Sequence, residues 1–158
     1  LRAGKKIFKC QIGKAGYKIY SKKHEGDKAT PIGKWRLKSV YYRSDKVLRP
    51  LVKNKTFKIN KITKNCGWCD DIKSEFYNKP IRTSQKIRHE KLYRGDRKYD
   101  LVILIKYNSI KPVKNKGSAI FLHLTSNYQK TQGCVAVNKK DMLILLKLIN
   151  EKTKIKIN

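Results

Sequence analysis

Leu101, Val102, Ile103, Leu104 and Ile105 form a run of five apolar residues without a polar interruption. Successive side chains of a strand point to opposite faces, so a run like this is stable only where both faces of a sheet are covered. Ala119, Ile120, Phe121 and Leu122 repeat the pattern and lead into His123 and Leu124. Turn chemistry separates the two runs: Asn108, Ser109, Pro112 and Gly117. Residues 100–107 and 118–124 are therefore predicted as antiparallel neighbours, joined by a loop of roughly ten residues, too long for a tight hairpin. The fold has to be built around this pair, with a layer on each side of it.

The remaining pattern is strand-rich. Residues 34–42 alternate, with Trp35, Leu37 and Tyr41 expected on one buried face. Residues 7–12 have strand composition and stop at Gly13, while residues 26–33 hold two glycines and a proline and read as a loop. Residues 43–90 are poorly patterned, which predicts a long irregular insert serving as a functional loop or a lid. Asn138 followed by Asp141 marks a helix start, and Met142, Leu145, Leu146 and Ile149 form its buried stripe. Lys154, Ile155, Lys156 and Ile157 alternate as a short last strand. With 158 residues and no internal repeat, a single domain over 1–158 is expected.

Composition excludes less than it first suggests. Forty Lys and Arg against 11 Asp and Glu leave a formal net charge of +29, which attracts polyanions such as nucleic acid, acidic lipid or anionic wall polymers. These charges are spread along the whole chain, and no zinc-finger spacing or RNA-binding motif accompanies them, so no specific nucleic-acid partner is expected. No apolar run approaches the ~20 residues of a membrane span. Leu1 to Lys6 do not read as a secretory leader, which leaves the compartment open. Cys66 and Cys69 form a lone CxxC without a second pair, so they are expected to be structural; a disulfide or redox pair is the alternative.

Cysteine catalysis needs a thiol, a base and donors for an oxyanion. The segment from His123 to Cys134 can supply all three. His123 ends a buried strand, a rigid place from which to face a pocket. Gly133 allows close backbone approach, and the Cys134 N–H precedes a short β-type run, Val135 to Val137. His123 would lower the thiol pKa or take its proton. A buried His and a buried Cys also coexist in inert cores, so spacing by itself leaves catalysis open.

Residues 117–123 together with Thr131, Gln132, Gly133, Cys134 and Val135 resemble the L,D-transpeptidase catalytic domain of YkuD type. The likeness is to a compact subgroup in which a histidine-bearing strand is closely followed by a Gly-Cys-Val motif. Residues 25–33 are similar to that family's glycine-rich Thr-Pro-x-Gly loop. Residues 67–71, 77–80, 89–94 and 99–102 look like further subgroup blocks, so roughly residues 10 to 150 follow the family's order. Two departures stand out: Thr131 and Gln132 occupy places where the family usually has Ser and His, and Ala136 stands where it often has Arg.

The resemblance implies a mainly β fold, an L,D-transpeptidase-like sandwich of mixed sheets with a C-terminal α-helix. It implies Cys134 as nucleophile and His123 as base, with Gly133, Thr131 and Gln132 in supporting or oxyanion roles. Thr30, Pro31 and Gly33 are implied as weak substrate contacts; Trp68 and Tyr77 could line a substrate groove, with core packing the favoured reading for these two. The implied substrate is the peptidoglycan stem peptide, cut on the L-centre of its third residue and joined to an amine through a thioester. No metal or organic cofactor is implied, a monomer is expected, and the compartment would be the periplasm or cell envelope. Two rival readings stay open: an L,D-carboxypeptidase or hydrolase of wall peptides, and a basic polyanion-binding module with a vestigial Cys–His pair. His24 is expected in solvent, and His89 either in a structural role or at a pocket rim.

Overall fold

The computed structural model describes residues 1–52, 57–84 and 86–158. In chain order the described residues form β1 (Arg2–Ala3), β2 (Lys6–Ile7), β3 (Tyr17–Lys18), β4 (Thr30–Pro31) and β5 (Gly33–Tyr42). Next come β6 (Lys58–Lys61), β7 (Cys66–Cys69), β8 (Pro80–Arg82) and β9 (His89–Lys91). The last third supplies β10 (Leu101–Ile105), β11 (Phe121–Leu124), β12 (Val135–Val137), helix α1 (Lys139–Leu148) and β13 (Lys154–Ile157). The protein is mainly β, with mixed sheets and one C-terminal helix. No described helix is long and apolar enough to cross a membrane.

The central sheet runs β12-β11-β10-β5-β13, and β6 also pairs with β5. β10 and β11 are antiparallel neighbours, while β11 and β12 run parallel. All five residues of β10 are buried, as an apolar run on both faces requires. One face carries Leu101, Ile103, Ile105, Leu122 and Leu124 against Met142, Leu145, Leu146 and Ile149 of the helix segment. Each of these side chains contributes ~1.5–3 kcal/mol by leaving water. The opposite face carries Val102, Leu104 and Phe121 against Trp68, which lies in the three-stranded antiparallel sheet β8-β7-β9.

The helix begins where expected. Asn138 caps it, its Oδ1 accepting the Asp141 N–H at 2.8 Å, and its amide also donates to the Asp141 carboxylate at 2.9 Å.

Three expectations need correction. Trp35 and Leu37 do face the helix side, but Tyr41 turns to the opposite face and packs edge-on against Trp68. The cause is a β-bulge: Ile103 pairs with Val40 while Ile105 pairs with Leu37, so β5 holds one residue more than β10 there. An extra residue inverts the alternation beyond it.

Residues 7–12 are not a continuous strand, because Gly4 at φ 60° turns the chain back early and only Ile7 joins the β1–β2 pair. Beyond it, Gln11 makes an isolated bridge to Ala136.

The stretch 43–90 is no structureless lid, since it holds β6 to β9; its residues 53–56 and 85 lie outside the described residues. Strands of three or four residues with Lys58, Lys61, Arg82 and Lys91 exposed are too short and too polar for an alternating pattern to stand out.

Cys66 and Cys69 are free thiols on β7. Their odd separation in a strand sends the two sulfurs to opposite faces, which removes the CxxC redox reading and leaves the structural one.

Candidate active site

Two neighbouring parallel strands build the site. His123 on β11 pairs with Ala136 on β12. Side chains two apart in a strand share a face, so Cys134 projects from the same side as Ala136 and hence as His123. Both residues line a cleft of about 200 Å³ whose walls include Glu90, Arg94, Lys98 and Tyr99. The ring of Tyr99 packs edge-on against the imidazole with centroids 5.3 Å apart, fixing the plane of the His123 ring.

The His123 tautomer follows from its partner. Nδ1 lies 2.9 Å from the Leu124 carbonyl, which can only accept, so Nδ1 carries the hydrogen and Nε2 presents a lone pair. Burial holds the imidazole down to about 4, and the nearby charges of Lys98 and Arg94 act in the same direction against the Leu124 bond.

The Cys134 thiol donates to the Ala119 carbonyl at 3.2 Å and receives the Phe121 N–H at 3.3 Å. Burial pushes this thiol up to about 12; the Phe121 N–H opposes the shift and the Glu90 carboxylate adds to it. The resting pair is therefore a neutral thiol beside a neutral imidazole. Of the two roles expected of His123, lowering the thiol pKa is opposed by desolvation, whereas taking the proton requires the neutral imidazole with a lone pair on Nε2.

The turn before Cys134 is locked by Thr131. Its hydroxyl donates to the Cys134 carbonyl at 2.6 Å and accepts the Gly133 N–H at 3.1 Å. Thr131 thus holds Cys134 through the main chain. Because the Gly133 N–H is bonded to that hydroxyl, it is not free to serve as the oxyanion donor expected of it. Gly133 is needed for another reason: at φ 131° a side chain is strained, and a Cβ would lie 3.1 Å from the Ala29 carbonyl. Gln132 is exposed on the cleft wall.

The residues expected to touch substrate sit elsewhere. Thr30 is fully buried, and its hydroxyl accepts the Gly13 N–H at 2.9 Å. Lys14 N–H bonds the Thr131 carbonyl and Thr131 N–H bonds that of Ile12, so this strap braces the turn that carries Cys134. Pro31 is buried, and its carbonyl accepts from the Trp35 indole at 3.3 Å. Gly33 makes room for the Trp35 ring, which a Cβ would approach to 2.5 Å. Trp68 and Tyr77 are each only 2% exposed. The Trp68 indole N–H donates to Asn78 Oδ1 at 2.8 Å and its ring packs edge-on against Phe121, while the Tyr77 hydroxyl donates to Glu25. None of these five lines the cleft; they shape the frame around it.

His24 is exposed, and His89 sits on β9 with Nδ1 against the Ile87 carbonyl at 2.6 Å, away from the cleft. Glu90, Arg94, Lys98 and Tyr99 were not singled out from sequence. Glu90, Arg94 and Tyr99 do lie within the blocks 89–94 and 99–102 that resemble the family, which was the available signal.

No curated protein and no solved structure matches the chain. The family model described as the YkuD L,D-transpeptidase catalytic domain matches residues 1–157, essentially the whole chain. With that extent of match, and with the mainly β mixed-sheet fold consistent with it, the chain belongs to the YkuD family of L,D-transpeptidase catalytic domains.

Proposed function

We propose that the protein is a cysteine acyltransferase acting on peptidoglycan stem peptides, with Cys134 as nucleophile and His123 as base. The observation that carries this reading is the shared strand face and shared cleft of the two side chains, with Nε2 of His123 bearing the available lone pair.

The reaction starts from neutral partners. The thiol leaves the Ala119 carbonyl and passes its proton to His123 Nε2 as the sulfur attacks the carbonyl carbon on the L-centre of the third stem residue. The Cys134 N–H is the candidate donor to the oxyanion, Gly133 being engaged with Thr131. The imidazolium gives its proton to the departing D-alanine amine, the C–N bond breaks, and a thioester remains. An acceptor amine then attacks the thioester and loses a proton to His123, and the thiol is released. Water in place of the amine gives the carboxypeptidase outcome. A buried thiol that becomes reactive only with a substrate carbonyl in place limits off-target chemistry. The same feature makes rapid alkylation of the free enzyme unlike its turnover.

The test is a covalent adduct. Incubation with a carbapenem or a tetrapeptide stem is expected to add one acyl mass to the protein, and Cys134→Ala to abolish it. An adduct on Cys10 or Cys66, or none on folded protein, overturns the assignment. Supplying an acceptor stem separates the outcomes: a cross-linked dimer marks transfer, and release of D-alanine without a dimer marks hydrolysis.

A further inference from the structure

We propose that Arg94 makes the cleft beside Cys134 a carboxylate receptor that seats an anionic end of the donor stem peptide. The proposal rests on the acyl-transfer reading above and gives it a substrate determinant.

Arg94 lies between β9 and β10 and reaches the cleft wall with its side chain clamped. Nε and Nη2 hold the Asp96 carboxylate, at 3.1 and 2.7 Å, and Nη1 holds Glu90 at 2.8 Å. Its main chain is tied as well, the carbonyl accepting from Arg43 Nη1 at 2.6 Å. A guanidinium has five N–H donors in a fixed plane, so these bonds leave one on each Nη among the described residues. Nη1 and Nη2 each keep one donor that a carboxylate oxygen can accept, and the clamped side chain has little entropy left to lose on binding.

The placement suits the chemistry. The guanidinium lies over the Tyr99 ring at 5.1 Å, and that ring contacts His123, so the fork stands one aromatic ring away from the base. The charged residues lining the cleft besides His123 are Arg94, Lys98, Lys130 and Glu90, and Asp96 pairs with Arg94 and lies 3.8 Å from Lys98, so three cations stand against two carboxylates. Glu90 is already committed to Arg94. Ala136, paired with His123 across the two strands, is also part of the lining and is small. A peptide whose scissile carbonyl sits over Cys134 therefore extends towards cationic donors.

A donor stem carries two carboxylates near the scissile bond: the C-terminal one on the leaving residue, and the one on the D-centre of a diamino acid. The experiment separates them. Binding is measured by calorimetry on the Cys134→Ala variant with three tetrapeptide stems: unmodified, C-terminally amidated, and amidated on the diamino acid. Amidating the recognised carboxylate is expected to raise Kd about tenfold, the size of one charge-assisted contact. With Arg94→Gln added, the same amidation should change Kd by less than about threefold.

Arg94→Lys keeps the charge without the fork and should lose most of the discrimination too. It serves as the readout if Arg94→Gln does not fold. Equal Kd for all three stems, or an Arg94 substitution that weakens all three alike, overturns the proposal and makes Arg94 a structural clamp. If the stem never acylates the wild-type protein while Arg94-dependent discrimination persists, the acyl-transfer reading falls and the receptor stands. Acylation without discrimination gives the reverse.

Discussion

The two faces of the central sheet are made of different material. On the helix side, β10 and β11 present Leu101, Ile103, Ile105, Leu122 and Leu124 to Met142, Leu145 and Leu146. Across the sheet the same two strands present Val102, Leu104, Phe121 and His123 towards Trp68, Tyr99 and Cys134. The first face is aliphatic and closed, and its work is packing. The second mixes aromatic rings with a thiol and an imidazole, and its end opens into the cleft. Side chains one residue apart on β11 pack the core on one face and reach the cleft on the other, so the strand that anchors the core also fixes His123.

That division can be broken by experiment, and the largest effect should come from the closed face. Leu146 is fully buried, and Leu146→Ala is expected to cost ~2–5 kcal/mol in urea unfolding, transfer loss and cavity together. Acylation of Cys134 in the remaining folded protein should stay near wild type. A comparable loss of acylation rate would mean that the faces are not separable.

The next effect belongs to the reactive face and depends on pH. Folded His123 takes up no proton until about pH 4, whereas the unfolded chain binds one below the ordinary 6.5. Falling pH therefore favours the unfolded state, and stability present above 6.5 is lost on the way down to 4. This residue's share is about 3 kcal/mol. Urea unfolding at pH 7 and pH 4 should show the loss, and His123→Gln should make it smaller by that amount. An unchanged pH dependence in the variant would show that the imidazole is not buried neutral.

The smallest effect separates framing from catalysis within the reactive face. Trp68→Phe removes the indole bond to Asn78, leaving Oδ1 still bonded to the Ala119 N–H at 3.1 Å. A stability loss of ~1 kcal/mol is expected, with acylation unchanged. Loss of acylation beyond the loss of folded protein would return Trp68 to the substrate groove.

Much of the framework was legible because it is local. The double-faced run of β10, the apolar run into His123, the Asn138 cap and the alternating tail each write their environment into a few consecutive residues. The small sheet β8-β7-β9 was not legible, because each of its strands is three or four residues long, too short for an alternating period to stand out. The turn of Tyr41 to the other face was not legible either, since a bulge depends on how two distant strands are registered and leaves no mark on either one.

By itself the sequence singled out Cys134 and His123 as candidates for reactive chemistry and placed them close to buried strands. Tertiary structure alone decided that β12 runs parallel to β11, which puts the sulfur and the imidazole on one face. It also decided that Thr30, Pro31, Gly33, Trp68 and Tyr77 lie in the frame outside the cleft lining, while Arg94 comes from another segment to form part of its wall. The physical reason is that strand direction, register and the desolvation of a site are set by contacts between segments far apart in the chain, which no single segment encodes.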